Sequence, residues 1–250
     1  MKAMMIAFSM YSGIPMPVFV WEDEDRKKAM CYFPLIGAVI GALFYFLFRA
    51  MAFMGQGNVF RAALLTMVPV LVTGGIHMDG FLDTCDARAS FGDREKKLKI
   101  LKDTHAGAFA VTGGALYFLL FFAACTELTE QSAQAAGCGF ILSRSLSGFA
   151  VSVFPEARKQ GMLADFMKDA HKKMIAGVMT GWIVLSSALM LWTGGWYGAA
   201  GILASAVTFF YYRHVALKEF GGVTGDLAGW FLQLCELGIV LSLAVMRYLI

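Results

Sequence analysis

The residues best suited to chemistry stand together in one string, Gly74-Gly75-Ile76-His77-Met78-Asp79-Gly80-Phe81-Leu82-Asp83-Thr84-Cys85-Asp86. If the apolar run before it (67–73) continues as helix, Asp79, Asp83 and Asp86 recur at i, i+4 and i+7. At 100° per residue they fall within a roughly 60° stripe. Three carboxylates on one face repel one another and weaken a helix unless a cation lies between them. Oxygen-only ligands suit Mg²⁺ or Mn²⁺, which combine carboxylates with water and substrate phosphates. The competing reading is a solvated acidic face at a membrane surface. Against it, Ile76, Met78, Phe81 and Leu82 hold the segment close to apolar surroundings, and the loop that follows is basic, which draws a polyphosphate inward. Metal-assisted phosphoryl or prenyl-diphosphate chemistry follows, with Asp79, Asp83 and Asp86 as metal ligands. His77 stands where it could transfer a proton or orient a carboxylate.

Three further groups could serve the same site. Lys102-Asp103-Thr104-His105-Ala106-Gly107 precedes an apolar stretch; Asp103 could add a ligand and Lys102 a phosphate contact, while an N-cap cluster explains Asp103 equally well. His105 reads more simply as an interfacial, hydrogen-bonded histidine than as a base. Gly221-Gly222-Val223-Thr224-Gly225-Asp226 opens the last apolar stretch. Glycines and a helix N-terminus can cradle phosphate, although Asp226 could be a plain cap. Arg144 and Glu236 lie roughly 13 and 15 Å inside their stretches, so they are candidate ion-pair partners. Arg144 could instead bind a substrate phosphate or carboxamide.

These groups are carried by a chain that is hydrophobic in 58% of its 250 residues and charged in 16%, against roughly 45–50% and 25% in ordinary globular proteins. Mean hydropathy is +0.64. Intrinsic disorder is excluded. Five scattered cysteines without a C-x-x-C pair suit neither a disulfide scaffold nor zinc, and a net charge of +3 is too small and dispersed for nucleic acid. An all-α, polytopic transmembrane helix bundle in a single domain, 1–250, is expected. A bilayer core of about 30 Å needs roughly 20 apolar residues. Seven stretches come near this: 33–54, 60–76 (with Pro69 as a kink), 107–126, 132–154, 174–192, 195–212 and 226–249. Seventeen of the 21 Lys and Arg residues, Arg158, Lys159 and Lys168 among them, lie on alternate loops. This places the N-terminus and the acidic string on the cytoplasmic face of the cell's inner membrane. The segment before residue 30 is broken by Pro15 and Pro17 and has no A-x-A site, so an interfacial segment with Trp21 at headgroup level is expected in place of a signal peptide. Gly37-x-x-x-Gly41 suits close helix packing.

Taken in order, Ile14-Pro15-Met16-Pro17, Phe33-Pro34-Leu35-Ile36-Gly37, the H-x-D-G-x-x-D-x-x-D string, Lys102 to Phe109, Leu142-Ser143-Arg144-Ser145 and Gly221 to Asp226 resemble the cobalamin synthase (adenosylcobinamide-GDP ribazoletransferase) family almost end to end. Members often carry Thr-Arg before I-P-x-P; Ser12-Gly13 stands here, so no phosphate-binding arginine carries over. The resemblance implies attack by α-ribazole, or its 5′-phosphate, on adenosylcobinamide-GDP at the phosphorus bonded to cobinamide, with Mg²⁺ bridging the diphosphate and GMP leaving. Asp79 and Asp83 would hold metal, Asp86 would hold metal or act as base, and Asp103 and Asp226 would make secondary contacts. CDP-alcohol phosphotransferases rank second, because Asp83 occupies the Ala position of their D-G-x-x-A-R motif and the later G-x-x-x-D-x-x-x-D is missing. A transporter using Arg144 and Glu236 ranks third, since no internal repeat is visible. Oligomeric state cannot be read from these residues.

Overall fold

In a computed structural model, every residue is described except 19, 104, 159–161 and 168–169. Thr104, Lys159 and Lys168 therefore lie outside the described residues. The described chain is helical: α1 (Lys2–Tyr11), α2 (Asp23–Ala29), a 3₁₀ turn, α3 (Phe33–Phe53), α4 (Asn58–Thr73), α5 (Ile76–Ala89), α6 (Arg94–Ile100) and α7 (Ala108–Thr126). Then come α8 (Glu130–Val153), α9 (Met162–Met167), α10 (Lys172–Gly194), α11 (Trp196–Val215), a π turn (Ala216–Phe220) and α12 (Gly225–Met246). Each of the seven apolar stretches is occupied by a helix. By length and composition five helical segments can cross a bilayer: Asp23–Phe53, Ala108–Thr126, Glu130–Val153, Lys172–Gly194 and Gly225–Met246. A sixth is counted if α4 and α5 form one broken span. Several such helices make this a multi-pass membrane protein. Exposed Phe46, Leu71, Leu119, Val184, Leu203 and Phe210 give the bundle the apolar exterior that lipid requires.

The helix does not continue unbroken into the acidic string. Gly74 and Gly75 both take positive φ, +63° and +82°, and α5 leaves α4 at 95°. Only glycine takes two such residues in succession at little cost. The Gly74 N–H returns to the Leu71 carbonyl at 3.2 Å and the Gly75 N–H to that of Val70 at 3.0 Å, which closes the end of α4. Pro69, by contrast, stays inside α4. The bend is what turns α5 away from the line of α4 and lays its His77 and Gly80 face against α12.

α8 and α12 form the core. α8 packs on α3, α10, α11 and α12, and α12 on α5, α7, α8 and α11. Gly37 and Gly41 let α3 meet α8 backbone to backbone: a Cβ on Gly41 would stand 2.1 Å from the Gly137 carbonyl oxygen. Between α8 and α12, Arg144 and Glu236 form an ion pair, each with a side chain about 1% exposed. Ser143 joins them, with its hydroxyl 3.0 Å from Arg144 Nη1 and 3.3 Å from Glu236 Oε1. Matching depth along the two helices thus does pair these charges.

Candidate active site

α5 carries Asp79, Asp83 and Asp86 on successive turns, as the spacing implies, and its neighbours divide them. Asp79 is exposed, whereas Asp83 and Asp86 are half-buried. Asp86 turns to α7: its Oδ2 accepts the Gly107 N–H at 2.6 Å and its Oδ1 the Ala110 N–H at 2.9 Å. It caps α7 from across the bundle and satisfies donors that a helix start otherwise leaves bare. Neither Asp79 nor Asp83 has a hydrogen-bond or ion-pair partner among the described residues. The negative charges of Asp79, Asp86, Asp103 and Asp226 all bear on Asp83, so the acids form one electrostatic cluster drawn from three parts of the chain.

α12 brings in Asp226 through a close helix crossing. A Cβ on Gly80 would lie 2.7 Å from the Asp226 carbonyl oxygen, and one on Gly229 would lie 2.9 Å from that of His77. The cap of α12 is Thr224, whose hydroxyl accepts the Leu227 N–H at 3.1 Å, so Asp226 is free of that duty. Asp226 Oδ2 instead lies 2.9 Å from Arg158 Nη2.

Asp79, Asp226, Arg158 and Glu156 line a cavity of about 290 Å³. Its inner wall is apolar and aromatic. Tyr11, Phe33 and His77 meet there, with Tyr11 and Phe33 ring centroids 4.8 Å apart and Phe33 edge-on to His77 at 5.7 Å. Burial pushes the Tyr11 phenol well up, so it stays neutral. His77 is 6% exposed, and its Nε2 has no hydrogen-bond partner. A cavity with an apolar wall and carboxylates at one end suits a ligand with an aromatic or aliphatic body and a charged group.

The other expected contacts fall outside this cavity. Lys102, Asp103 and His105 are exposed. Asp103 receives the His105 N–H at 3.0 Å and lies 2.8 Å from its Nδ1, and these hydrogen bonds hold the Asp103 carboxyl below its usual range. Gly107, not Asp103, takes the N-cap position of α7. Arg144 is spent on Glu236 and does not line the cavity. Conversely, Tyr11, Phe33, Glu156 and Arg158 do line it, although the sequence reading gave them no chemical role. Phe33 opens one of the strings that carry the resemblance, but nothing local marks the others; Arg158 counted only as one basic loop residue among many.

A clamp on the far side steadies α5 and α6. Glu219, in the π turn, accepts from Lys97 at 2.6 Å and from Arg88 at 3.1 Å. Arg88 also lies over the Trp230 ring, 5.1 Å from its centroid. Burial raises the Glu219 carboxyl, but the hydrogen bonds from Lys97 and Arg88 outweigh it and leave the group below its usual value.

Among the described residues no three His, Cys, Asp or Glu side chains converge as a ready-made metal cage. The donors fit a hard cation that shares two carboxylates with water and substrate phosphate. Asp79 and Asp83, one helical turn apart on α5 and without hydrogen-bond or ion-pair partners among the described residues, are that kind of donor set; a closed zinc site is not.

Comparison with known proteins identifies the family. Residues 3–244 match the family described as cobalamin-5-phosphate synthase. A relative named adenosylcobinamide-GDP ribazoletransferase from Lachnoclostridium phytofermentans is 42% identical over 245 residues, covering 98% of this chain and 94% of the relative. Proteins of the same name from Clostridium perfringens and Pseudomonas syringae are 35% and 34% identical, covering 98% and 94% of this chain and 98% and 92% of their own lengths. No solved structure matches. With residues 3–244 matched by the family and near-full-length relatives up to 42% identical, the chain belongs to the cobalamin-5-phosphate synthase family.

Proposed function

We propose that this protein is an adenosylcobinamide-GDP ribazoletransferase. A hydroxyl of α-ribazole, or of its 5′-phosphate, forms a bond to the phosphorus attached to cobinamide. The bridging phosphate bond breaks, GMP departs with the electron pair, and the hydroxyl proton passes to a carboxylate of the cluster. The observation that carries this reading is the meeting of Asp79 and Asp226, from helices far apart in sequence, at one cavity in a protein whose relatives bear that name.

Chemistry of this kind depends on positioning and charge. Asp79 and Asp83 would hold Mg²⁺, with Mn²⁺ as substitute. When bound, the ion would supply positive charge that offsets the charge building on the departing phosphate. Asp86, by capping α7, holds α5 in place, with Asp79 lining the cavity and Asp83 one turn further along the helix. His77 and the aromatic wall shield the reacting end of the acceptor from water. Lys102, Asp103 and His105 stand at the solvent edge, where they can meet the outer parts of a substrate larger than the cavity. The distribution of Lys and Arg supports a site opening to the cytoplasm from the inner membrane.

The test is GMP release by the detergent-purified protein given adenosylcobinamide-GDP, ribazole phosphate and Mg²⁺. Release should need both substrates, stop on chelation and fall at least a hundredfold in Asp83→Asn. Full activity in Asp83→Asn, or after chelation, would remove the metal site. No release from folded, Mg²⁺-supplied protein would overturn the transferase reading.

A further inference from the structure

We propose that Arg158 binds the diphosphate of the nucleotide substrate, resting on Asp226 while the site is empty and moving to phosphate oxygens when it fills. This rests on the transferase reading above and adds to it the residue that takes up the substrate's charge.

The substrate brings negative charge to a site that is itself negative. Asp79, Glu156 and Asp226 line it, and the charge of Asp79 bears on both Asp226 and Asp83. Of the described residues that line the cavity, Arg158 is the only lysine or arginine. Lys102, which the sequence favoured for phosphate contact, is exposed and does not line it.

Arg158 is also held in a way that leaves most of its donors unused. A guanidinium has five N–H groups in a planar fork that matches phosphate. Here one nitrogen, Nη2, meets one Asp226 oxygen at 2.9 Å, and the side chain makes no other hydrogen bond among the described residues. Its side chain is 18% exposed and that of Asp226 30% exposed, so neither is sealed in the core. The pair is an ion pair at a cavity edge that an incoming anion can compete for.

The backbone below Arg158 is anchored while the side chain is free to turn. The Ala157 N–H donates to the Val223 carbonyl at 3.0 Å, and the Val223 N–H to that of Pro155 at 2.8 Å. Glu156 is tied to Lys172 at 2.6 Å. These contacts fix the loop after α8 to the entrance of α12, so Arg158 enters the cavity from a rigid mount beside Asp226. Exchange of one carboxylate oxygen for phosphate oxygens needs only rotation of the side chain. It also frees Asp226 when the substrate arrives.

The experiment measures pyrophosphate binding by calorimetry, and KM for each substrate in GMP release, for wild type, Arg158→Lys, Arg158→Ala and Asp226→Asn, with Mg²⁺ present. Arg158→Ala should bind pyrophosphate about ten- to a hundredfold more weakly, the loss of one to two charge-assisted hydrogen bonds. Its KM for adenosylcobinamide-GDP should rise to match, with KM for the ribazole acceptor unchanged. Arg158→Lys keeps the charge but not the fork and should fall between. Asp226→Asn releases Arg158 and should bind pyrophosphate at least as tightly as wild type. Unchanged pyrophosphate affinity in Arg158→Ala, or an equal rise in both KM values, would overturn the proposal. A wild-type protein that binds pyrophosphate through Arg158 yet releases no GMP would sink the transferase reading and leave the anion site standing.

Discussion

Substituting Gly80 by alanine probes the joint on which the site depends. The added Cβ would lie 2.7 Å from the Asp226 carbonyl oxygen and 2.8 Å from its Cα, where ordinary contact begins at 3.4 Å. Both neighbours are backbone, so no side chain can swing aside, and α5 and α12 must part by about 0.7 Å. Overpacking of this kind costs about 1–3 kcal/mol, offset in part by the roughly 0.5–1 kcal/mol that alanine gains over glycine inside a helix. The chain should therefore fold, slightly destabilised. Catalysis should suffer more, because Asp79 and Asp83 move on one helix and Asp226 on the other. A misplacement near 1 Å can cost about a hundredfold, so kcat/KM for GMP release should drop by about ten- to a hundredfold. Gly229→Ala, with its Cβ 2.9 Å from the His77 carbonyl oxygen, should show the same defect more mildly. Gly177→Ala and Gly181→Ala on α10 have nothing within 4 Å and serve as controls that should keep full activity. Detergent gel filtration and thermal unfolding separate folding from catalysis. Wild-type kcat/KM in a folded Gly80→Ala protein would refute the claim that this crossing sets the spacing of the acids.

Two more results are expected. Arg144→Gln strands Glu236 in the core and should cost about 3–5 kcal/mol in unfolding measurements, whereas replacing both by methionine should recover most of that loss; equal damage from single and double variants would show that the pair is not what holds α8 to α12. Because the folded Glu219 carboxyl lies below its ordinary value of 4.5, its clamp on Lys97 and Arg88 is complete above pH 4.5 and is lost as the pH falls through the lower folded value. Hydrogen exchange across 94–100, corrected for intrinsic rates, should accelerate in that acid range in wild type but not in Glu219→Gln, and a flat wild-type profile would count against the clamp.

The long helices were legible because a membrane helix is declared by length and apolarity alone, and each of the seven apolar runs holds one; α1, α2, α6, α9 and nearly all of α5 lie outside those runs. The acid spacing on α5 was legible for the same local reason. The 95° turn before it was not. Gly74-Gly75 is compatible with a straight helix, a kink or a full reversal, and packing against α12 selects among them. The fate of Asp86 shows the limit of spacing: one stripe of a helix can face two neighbours, and only the position of α7 sends Asp86 to bare N–H groups while Asp79 faces the cavity. Arg144 and Glu236 could be paired from depth because the bilayer supplies a common ruler. Tyr11, Phe33 and Arg158 had no such ruler, since their meeting depends on how the connections between helices cross.

The buried ion pair also sets a timetable for synthesis. Glu236 follows Arg144 by 92 residues. At about 5–20 residues per second, α8 exists for roughly 5–20 s before its counter-charge has been made. During that interval a guanidinium in the middle of an apolar helix has no partner of its own, and lipid is a poor host for it. Either α8 waits beside the insertion machinery or water stays with Arg144 until α12 arrives. Truncated chains ending before α12 would leave that charge exposed for good, a distinctive mark by which membrane proteases can tell an unfinished copy from a complete one.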